Sequence, residues 1–161
     1  MKKVKIETNL EVFESVSELP KSIQKLMDKA HRASEHAYAP YSSFMVGVAL
    51  LLDSGEIIIG NNQENAAYPS GMCAERVAIY QAGAQFPNST FVALALTAKS
   101  MKQKNTTPVP PCGACRQAIA EYEVKQDSPI AIYFMGESGN VVKSNSIKEL
   151  LPLIFDNSYL K

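Results

Sequence analysis

The strongest constraint on the fold of this 161-residue chain is the placement of its three cysteines. Cys73 is followed two residues later by Glu75, and Cys112 and Cys115 form a Pro-Cys-x-x-Cys motif much further along. Three thiolates leave a tetrahedral zinc ion one ligand short, and an open position separates catalytic from structural zinc sites. Zinc with an open position activates water, and Glu75 is the candidate to move its proton. The pattern therefore predicts a hydrolytic zinc site built from two distant segments.

Each half of this pattern has other interpretations. Cys112 and Cys115 alone could be a redox pair, and three buried cysteines could simply pack in a core. A closed structural site needs a fourth ligand, but the only histidines, His31 and His36, fall in the first predicted helix, where we expect ordinary positions. The two motifs together are more specific for a zinc site than either motif alone. We therefore predict a zinc site with one open position.

Length and charge exclude several classes of protein. The chain has the length of one domain, and 46% hydrophobic residues suffice for one core. Its formal net charge of zero gives no global attraction to nucleic acid or anionic membranes. No apolar stretch follows the N-terminal lysines, and the longest apolar run, Phe44–Leu52, is too short to span a bilayer. An odd number of cysteines in metal-like spacing indicates a reducing compartment. We expect a soluble cytoplasmic protein.

Hydrophobic periodicity predicts alternating helices and strands. Residues 1–19 are irregular and are expected to form an extended N-terminal arm. A helical face begins after Pro20 and runs to Ala37. The other predicted elements are a hairpin over 44–52 and 56–61, a helix over 73–84, a strand over 91–98, a helix over 112–122, strands over 130–135 and 141–142, and a final helix with a capping box at 146–149. This alternation predicts a layered α/β sandwich.

The predicted helices give the cysteines a favourable electrostatic setting. Cys73 opens one helix, and Cys112 and Cys115 lie on one face at the start of another. Helix N-termini favour thiolate over thiol. Three thiolates with Zn²⁺ carry a net charge of −1, and Arg76 is the candidate counter-charge. A plain salt bridge is an equal alternative for Arg76 and the favoured interpretation for Arg116.

At these residues the chain resembles the cytidine deaminase family. The resemblance extends over several segments: Ala-Pro-Tyr-Ser-Ser-Phe at 39–44, Gly-Asn-Asn-Gln-Glu-Asn-Ala at 60–66, Gly-Met-Cys-Ala-Glu-Arg at 71–76, Pro-Cys-Gly-Ala-Cys-Arg-Gln at 111–117 and Glu-Leu-Leu-Pro at 149–152. It continues in register from about residue 20 to 156. The resemblance implies an α/β/α sandwich around a five-stranded mixed sheet, in a zinc-dependent deaminase domain over 20–161. It also implies hydrolytic deamination of cytidine and deoxycytidine by the short, three-cysteine form, which is homotetrameric.

The same resemblance implies a role for each matching site residue. Cys73, Cys112 and Cys115 would bind one Zn²⁺, and Glu75 would transfer protons. Asn62 and Glu64 would hold the ribose 3′-hydroxyl of the substrate. Phe44 would stack on the pyrimidine, and the backbone of Ala74 would contact the base carbonyl. Arg76 would hydrogen-bond the zinc-bound sulfurs, and Phe155 would enter a neighbouring subunit's pocket.

Other interpretations of these residues stay open at this point. Taken alone, Asn62 and Glu64 suggest a polar strand-to-loop segment, Phe44 suggests core, and Tyr68 is expected to be a packing residue. A rival enzyme class is a base deaminase acting on RNA, DNA or a free nucleobase. Polymer binding needs several phosphate contacts, and a small basic run, Lys99, Lys102 and Lys104, fits a solvated loop. A non-catalytic, zinc-stabilised binding module is the alternative outside enzymes.

Overall fold

The structure, a computed structural model, describes residues 1–160. The strands are β1 (Glu11–Phe13), β2 (Phe44–Leu52), β3 (Ile57–Asn61), β4 (Phe91–Ser100), β5 (Ala131–Met135) and β6 (Val141–Ser144). The α-helices are α1 (Lys21–Ser34), α2 (Ala74–Gln85), α3 (Gly113–Gln126) and α4 (Ile147–Leu150). No helix in this described part of the chain is both long and apolar enough to cross a bilayer.

All six strands form one mixed sheet in the order β1-β6-β5-β4-β2-β3. β4 and β5 are parallel, and the chain between them contains α3, whereas every other neighbouring pair is antiparallel. α1 packs on one face of the sheet, and α2 and α3 pack on the other. The predicted three-layer α/β/α architecture is therefore confirmed.

The sheet has six strands instead of the five implied by the family resemblance. The sixth is β1, which lies in the predicted arm and pairs antiparallel with β6 at the sheet edge. The Glu11 carboxylate accepts hydrogen bonds from Lys143 Nζ at 2.7 Å and Asn145 Nδ2 at 3.1 Å, and these bonds lower the pKa of Glu11. Three residues are too few for a two-residue period to be visible in the sequence.

Several predicted boundaries move by a few residues. α1 ends at Ser34, so Ala37 and His36 lie beyond it. β4 continues to Ser100, and α3 continues to Gln126, where Asp127 adopts a left-handed φ of 51°. The last helix has only four residues, and Ser146 caps it by accepting a hydrogen bond from the Lys148 N–H.

Alternation along the central strands divides the core between the two faces. On β2 and β4 the large side chains of Val48, Leu50, Leu94 and Leu96 face α2 and α3. The small side chains of the intervening residues face α1; they are Ala49, Ala93 and Ala95. All are buried. Small residues on one face let α1 approach the sheet closely, while the larger core forms under the two helices that begin at the cysteines.

Gly60 lets α2 approach the sheet at the end that carries Cys73. A Cβ atom at this position would lie 2.4 Å from the Ala74 carbonyl oxygen and 2.7 Å from the Ala78 amide nitrogen. Both contacts are with backbone, which cannot rotate away as a flexible side chain could. Gly60 therefore fixes how close the first turn of α2 lies to β3.

We expect Gly60→Ala to lower the free energy of unfolding by about 1–3 kcal/mol, because overpacking forces a backbone shift. The same shift should displace the first turn of α2 and reduce bound metal. Thermal unfolding and metal content of the purified variant measure the two effects. Gly113→Ala is the matched control for stability, since a Cβ there meets nothing within 4 Å. Equal stability of Gly60→Ala and the unsubstituted protein would contradict the packing argument.

Candidate active site

Three cysteine sulfurs converge where α2 and α3 begin. Cys73 is the residue before α2, Cys112 is the residue before α3, and Cys115 lies in the first turn of α3. Their Sγ atoms all lie within 4.8 Å of one another, and those of Cys112 and Cys115 are 3.4 Å apart. All three cysteines are free. Sulfurs bound tetrahedrally to zinc at ~2.3 Å lie about 3.8 Å apart, so this cluster fits one zinc ion.

The cluster contains three ligand atoms and no fourth. Among residues 1–160 it is the one group of three or more cysteine, histidine or carboxylate ligands close enough to share a metal ion. Neither His31 nor His36 belongs to it. Zinc sites closed by four protein ligands are structural, whereas three protein ligands leave room for a water or substrate. The arrangement is that of an open site.

The electrostatics of the cluster favour a thiolate at Cys73. A hydrogen bond with Cys115 and the guanidinium of Arg76 lower the pKa of Cys73 to about 5. The pKa of Cys115 is raised because it keeps the shared proton and is buried. At neutral pH the pair therefore already holds negative charge at the place where a cation would bind.

Arg76 supplies the positive charge beside the sulfurs. Its Nη2 atom lies 3.5 Å from Cys73 Sγ, and the guanidinium also interacts with Cys115. These sulfurs raise the pKa of Arg76, so the group stays charged. Its Nε atom is buried without a hydrogen-bond partner. Arg76 is thus directed at the cysteine cluster and is not part of a surface salt bridge.

Glu75 lies next to the sulfurs and is removed from solvent. Its residue is 4% exposed. Burial is the main cause that raises the pKa of Glu75, and the negative charge of Cys73 adds to it. A hydrogen bond between this carboxyl and Cys115 acts in the opposite direction. A carboxyl group with a raised pKa beside a metal site is suited to accept and release protons.

A cavity of about 480 Å³ adjoins the cluster on the Cys73 side. Four predicted site residues line it: Asn62, Glu64, Cys73 and Arg76. The other lining residues are Tyr41, Ser42, Gln63, Asn65, Tyr68, Gly71 and Met72. A larger cavity, of about 700 Å³, lies elsewhere, between the end of α3 and the C-terminal segment. It contains none of the cysteines, so the smaller cavity is the candidate binding pocket.

Asn62 is held in place by the backbone of β2. Its Nδ2 donates to the Phe44 carbonyl at 2.9 Å, and its Oδ1 accepts from the Val46 N–H at 2.8 Å. These bonds continue the β2–β3 ladder one residue past its end and leave one donor hydrogen and one acceptor lone pair unused. Asn62 therefore has a structural role in addition to the predicted binding role.

Glu64 is held by the loop that precedes β2. Its Oε2 atom accepts hydrogen bonds from the backbone N–H groups of Tyr41 at 2.9 Å and Ser42 at 3.2 Å. The Ser42 hydroxyl, followed by these two N–H groups, lowers the pKa of Glu64. The carboxylate is therefore ionised at neutral pH and fixed in orientation, as a hydrogen-bond acceptor for a hydroxyl must be.

Phe44 and Ala74 occupy the first positions of their elements. Phe44 is half-buried at the start of β2, after Ser43 in a left-handed conformation with φ of 58°. It is not among the residues that line the 480 Å³ cavity. Ala74 is fully buried as the first residue of α2, where a backbone N–H has no acceptor within the helix. Like Phe44, Ala74 is not among the residues that line the cavity.

Phe155 is not brought to the cavity in the single chain. The residue is 58% exposed, and its ring stacks on Tyr159 with 5.6 Å between ring centroids. Its carbonyl accepts a hydrogen bond from Gln117 Nε2 at 2.7 Å. Phe155 is therefore not among the residues that line the 480 Å³ cavity of the single chain.

Sequence reasoning missed two pocket residues. Tyr68, expected to pack internally, is 74% exposed and makes an edge contact with Tyr41 at 5.9 Å between ring centroids. Both residues line the 480 Å³ cavity. Their proximity depends on the hydrogen bonds between the 38–42 and 62–64 segments. Those bonds cannot be predicted from a local sequence pattern. Tyrosines close in sequence to a polar cluster are nevertheless a weak signal for a binding site.

Comparison with known proteins agrees with this site. The family model described as "Cytidine and deoxycytidylate deaminase zinc-binding region" matches residues 20–128, which contain all three cysteines. The chain belongs to the cytidine deaminase family. Within it, the chain is similar to the cytidine deaminase of Halalkalibacterium halodurans, with 40% identity over 132 residues that cover 82% of this chain and 92% of the relative.

Two further cytidine deaminases extend the similarity. That of Sporosarcina psychrophila is 39% identical over 138 residues, covering 86% of this chain and 94% of the relative. The crystal structure of cytidine deaminase from Burkholderia pseudomallei has a TM-score of 0.71 and 36% sequence identity, and the match covers 81% of this chain and 97% of that one. The fold and the zinc-binding region are those of the cytidine deaminase family.

We expect Asn62→Asp to lower the free energy of unfolding by about 1–3 kcal/mol, because a carboxylate cannot donate to the Phe44 carbonyl and leaves that acceptor unpaired. Chemical denaturation measures the change. Asn65→Asp is the matched control: Asn65 uses only its Oδ1, as acceptor from the Ala67 N–H, and a carboxylate keeps that bond. Equal loss of stability in both variants would show that added charge, not the Asn62 bond to β2, causes the effect.

Proposed function

We propose that this protein is a zinc-dependent cytidine deaminase. It hydrolyses the amino group at C4 of cytidine and deoxycytidine, giving uridine or deoxyuridine and ammonia, a reaction of pyrimidine salvage. One observation carries the proposal: a three-sulfur cluster with room for one more ligand lies beside a buried carboxyl, Glu75, and a pocket of about 480 Å³. Membership of the family supports the choice of substrate.

Cys73, Cys112 and Cys115 would hold one Zn²⁺ per chain. When bound there, the zinc ion supplies a Lewis acid that lowers the pKa of a water molecule towards neutrality. Arg76 offsets the negative charge of three thiolates and one Zn²⁺ and, from 3.5 Å, orients Cys73 by donating to its sulfur. Helix N-termini at both motifs add partial positive charge.

Glu75 performs the proton transfers. It accepts a proton from the attacking water and delivers it to N3 of the pyrimidine, which makes C4 more electrophilic. It then takes the proton of the hydroxyl group now on C4 and delivers it to the amine, so that the C4–N bond breaks, ammonia leaves and the C4 carbonyl forms. A carboxyl whose pKa is raised by burial holds the proton between these transfers more readily than an exposed one.

The polar pocket residues would bind the sugar and the base. Glu64 accepts from the ribose 3′-hydroxyl, and Asn62 uses the donor and acceptor that β2 leaves free. Phe44 stacks on the pyrimidine, and the free N–H of Ala74 donates to the base carbonyl. An ionised carboxylate at Glu64 also repels a phosphate group, which favours a nucleoside over a nucleotide.

Association of subunits would complete each site. We propose a homotetramer in which Phe155 enters the pocket of a neighbouring chain. The C-terminal segment supports this proposal because several of its large apolar side chains are exposed in the single chain. They are Leu153, Phe155, Tyr159 and Leu160, each at least 58% exposed.

The catalytic unit would span residues 20–161, with residues 1–19 as an N-terminal arm that adds one edge strand. The family match beginning at residue 20 supports this boundary. We also propose that the protein acts in the cytoplasm, since its three cysteines are free and needed as thiolates.

Ammonia release from cytidine, deoxycytidine, cytosine, CMP and adenosine, measured in parallel, tests the proposed activity. We expect turnover of the two cytosine nucleosides, little with CMP because of the Glu64 charge, and none with adenosine. Bound zinc without turnover of any substrate would favour a non-catalytic zinc module. Salt-sensitive binding of RNA, with activity only on the polymer, would favour the rival deaminase class.

We expect Glu75→Gln to reduce kcat for cytidine by more than about 10⁴-fold, beyond the usual contribution of a single acid–base step, because the amide can serve none of the transfers. Zinc content measured by atomic absorption should remain near one ion per chain. The control is Glu121→Gln, because Glu121 is exposed. Glu123 is unsuitable as a control, since it is buried and fully hydrogen-bonded. Near-normal turnover of Glu75→Gln would refute its assigned role.

A further inference from the structure

The C-terminal segment runs back along α3 towards the cysteines. At the far end of the helix, Glu123 Oε2 accepts from the Ile147 N–H at 3.0 Å. Near the start of the helix, Gln117 Nε2 donates to the Phe155 carbonyl at 2.7 Å. The segment therefore passes from the end of α3 to its beginning, held through its backbone by side chains of that helix.

Arg116 makes the middle contact of this series and also reaches the cysteine motif. Its Nη1 atom donates to the Leu150 carbonyl at 2.9 Å, and its Nε atom donates to the Pro111 carbonyl at 2.8 Å. Pro111 is buried and directly precedes Cys112. Both acceptors are backbone carbonyls, so the salt bridge that the sequence favoured for Arg116 is not the interaction found.

We propose that Arg116 is a positioning residue for the metal centre and the C-terminal segment together. Cys112 is exposed and directly precedes α3, and its carbonyl accepts a hydrogen bond from the Arg116 N–H at 2.9 Å. The Arg116 side chain holds the Pro111 carbonyl on the other side of Cys112, so Arg116 restrains the backbone on both sides of this sulfur ligand. The same guanidinium fixes Leu150, five residues before Phe155. The inference rests on the proposed zinc ligands and on the proposed role of Phe155.

Arginine is suited to this task because its planar guanidinium presents several donors in a fixed geometry. The two carbonyls from separate segments are held by different nitrogen atoms, Nε and Nη1, whose spacing the plane fixes. The three donors of a lysine ammonium share one nitrogen on a flexible stem, so they do not fix the two carbonyls at this spacing. Methionine has similar length and no donor.

The test measures zinc loss and steady-state kinetics for Arg116→Met and Arg116→Lys in the full chain. We expect Arg116→Met to release zinc to a chromogenic chelator about tenfold faster, the lower end of the effect of removing groups that orient metal ligands. Its KM for cytidine should rise as well, because the segment carrying Phe155 loses its anchor. Arg116→Lys should recover only part of either effect.

Gln117→Ala separates the two halves of the proposal. It removes the bond to the Phe155 carbonyl but leaves the Pro111 contact intact, so KM should rise while zinc release stays at the original rate. Arg32→Gln, on the exposed face of α1, controls for loss of a positive charge and should change neither quantity.

Zinc release at the original rate from folded Arg116→Met or Arg116→Lys overturns the proposal. Equally fast zinc release from Gln117→Ala also overturns it, since general loosening of the C-terminal segment would then be the cause. Zinc release is measured without substrate, so it reports on Arg116 even if cytidine is not turned over. If the unsubstituted protein does not turn over cytidine, that result would instead contradict the proposed function.

Discussion

The site depends on bringing the starts of α2 and α3 to one point on the same face of the sheet. The two helices are separated in the chain by β4 and a long loop, yet their first residues place three sulfurs within 4.8 Å. Gly60 allows α2 to lie against β3, and the buried side chains of Ala78 and Ile119 belong to the core beneath both helices. The metal centre is therefore a consequence of helix–sheet packing and not of any single loop.

Convergence of helix N-termini also explains the charge balance of the site. Each N-terminus contributes partial positive charge and unpaired N–H groups, which stabilise thiolates that would otherwise repel one another. Arg76 adds a full positive charge from within the first turn of α2. Glu75, in the same turn, is surrounded by negative sulfur and buried apolar groups, so its proton is held more tightly than on an exposed carboxyl. Two neighbouring residues of one helical turn thus differ in charge: Arg76 is a cation beside the thiolates, whereas Glu75 is a carboxyl that holds a proton.

Features encoded locally could be predicted from the sequence. The cysteine spacing predicts the metal cluster, and the apolar runs over 44–52 and 91–98 predict two of the central strands. Features that depend on distant pairing could not be predicted. β1 was missed because its three residues pair with β6, more than a hundred positions away. The bonds from Asn62 to the backbone of β2 were missed because an asparagine after a strand is equally compatible with a solvated loop.

α2 and α3 contribute different groups to the site. The first turn of α2 carries Glu75 and Arg76, which lie beside the sulfurs and for which we propose the proton transfers and the charge balance, and this turn is placed by contact with β3. α3 carries two sulfurs at its start and then, along its length, side chains that bind the backbone of the C-terminal segment. Because the C-terminal segment takes part in all three bonds through main-chain atoms, its sequence can vary without loss of these bonds. The path of this segment is therefore set by α3.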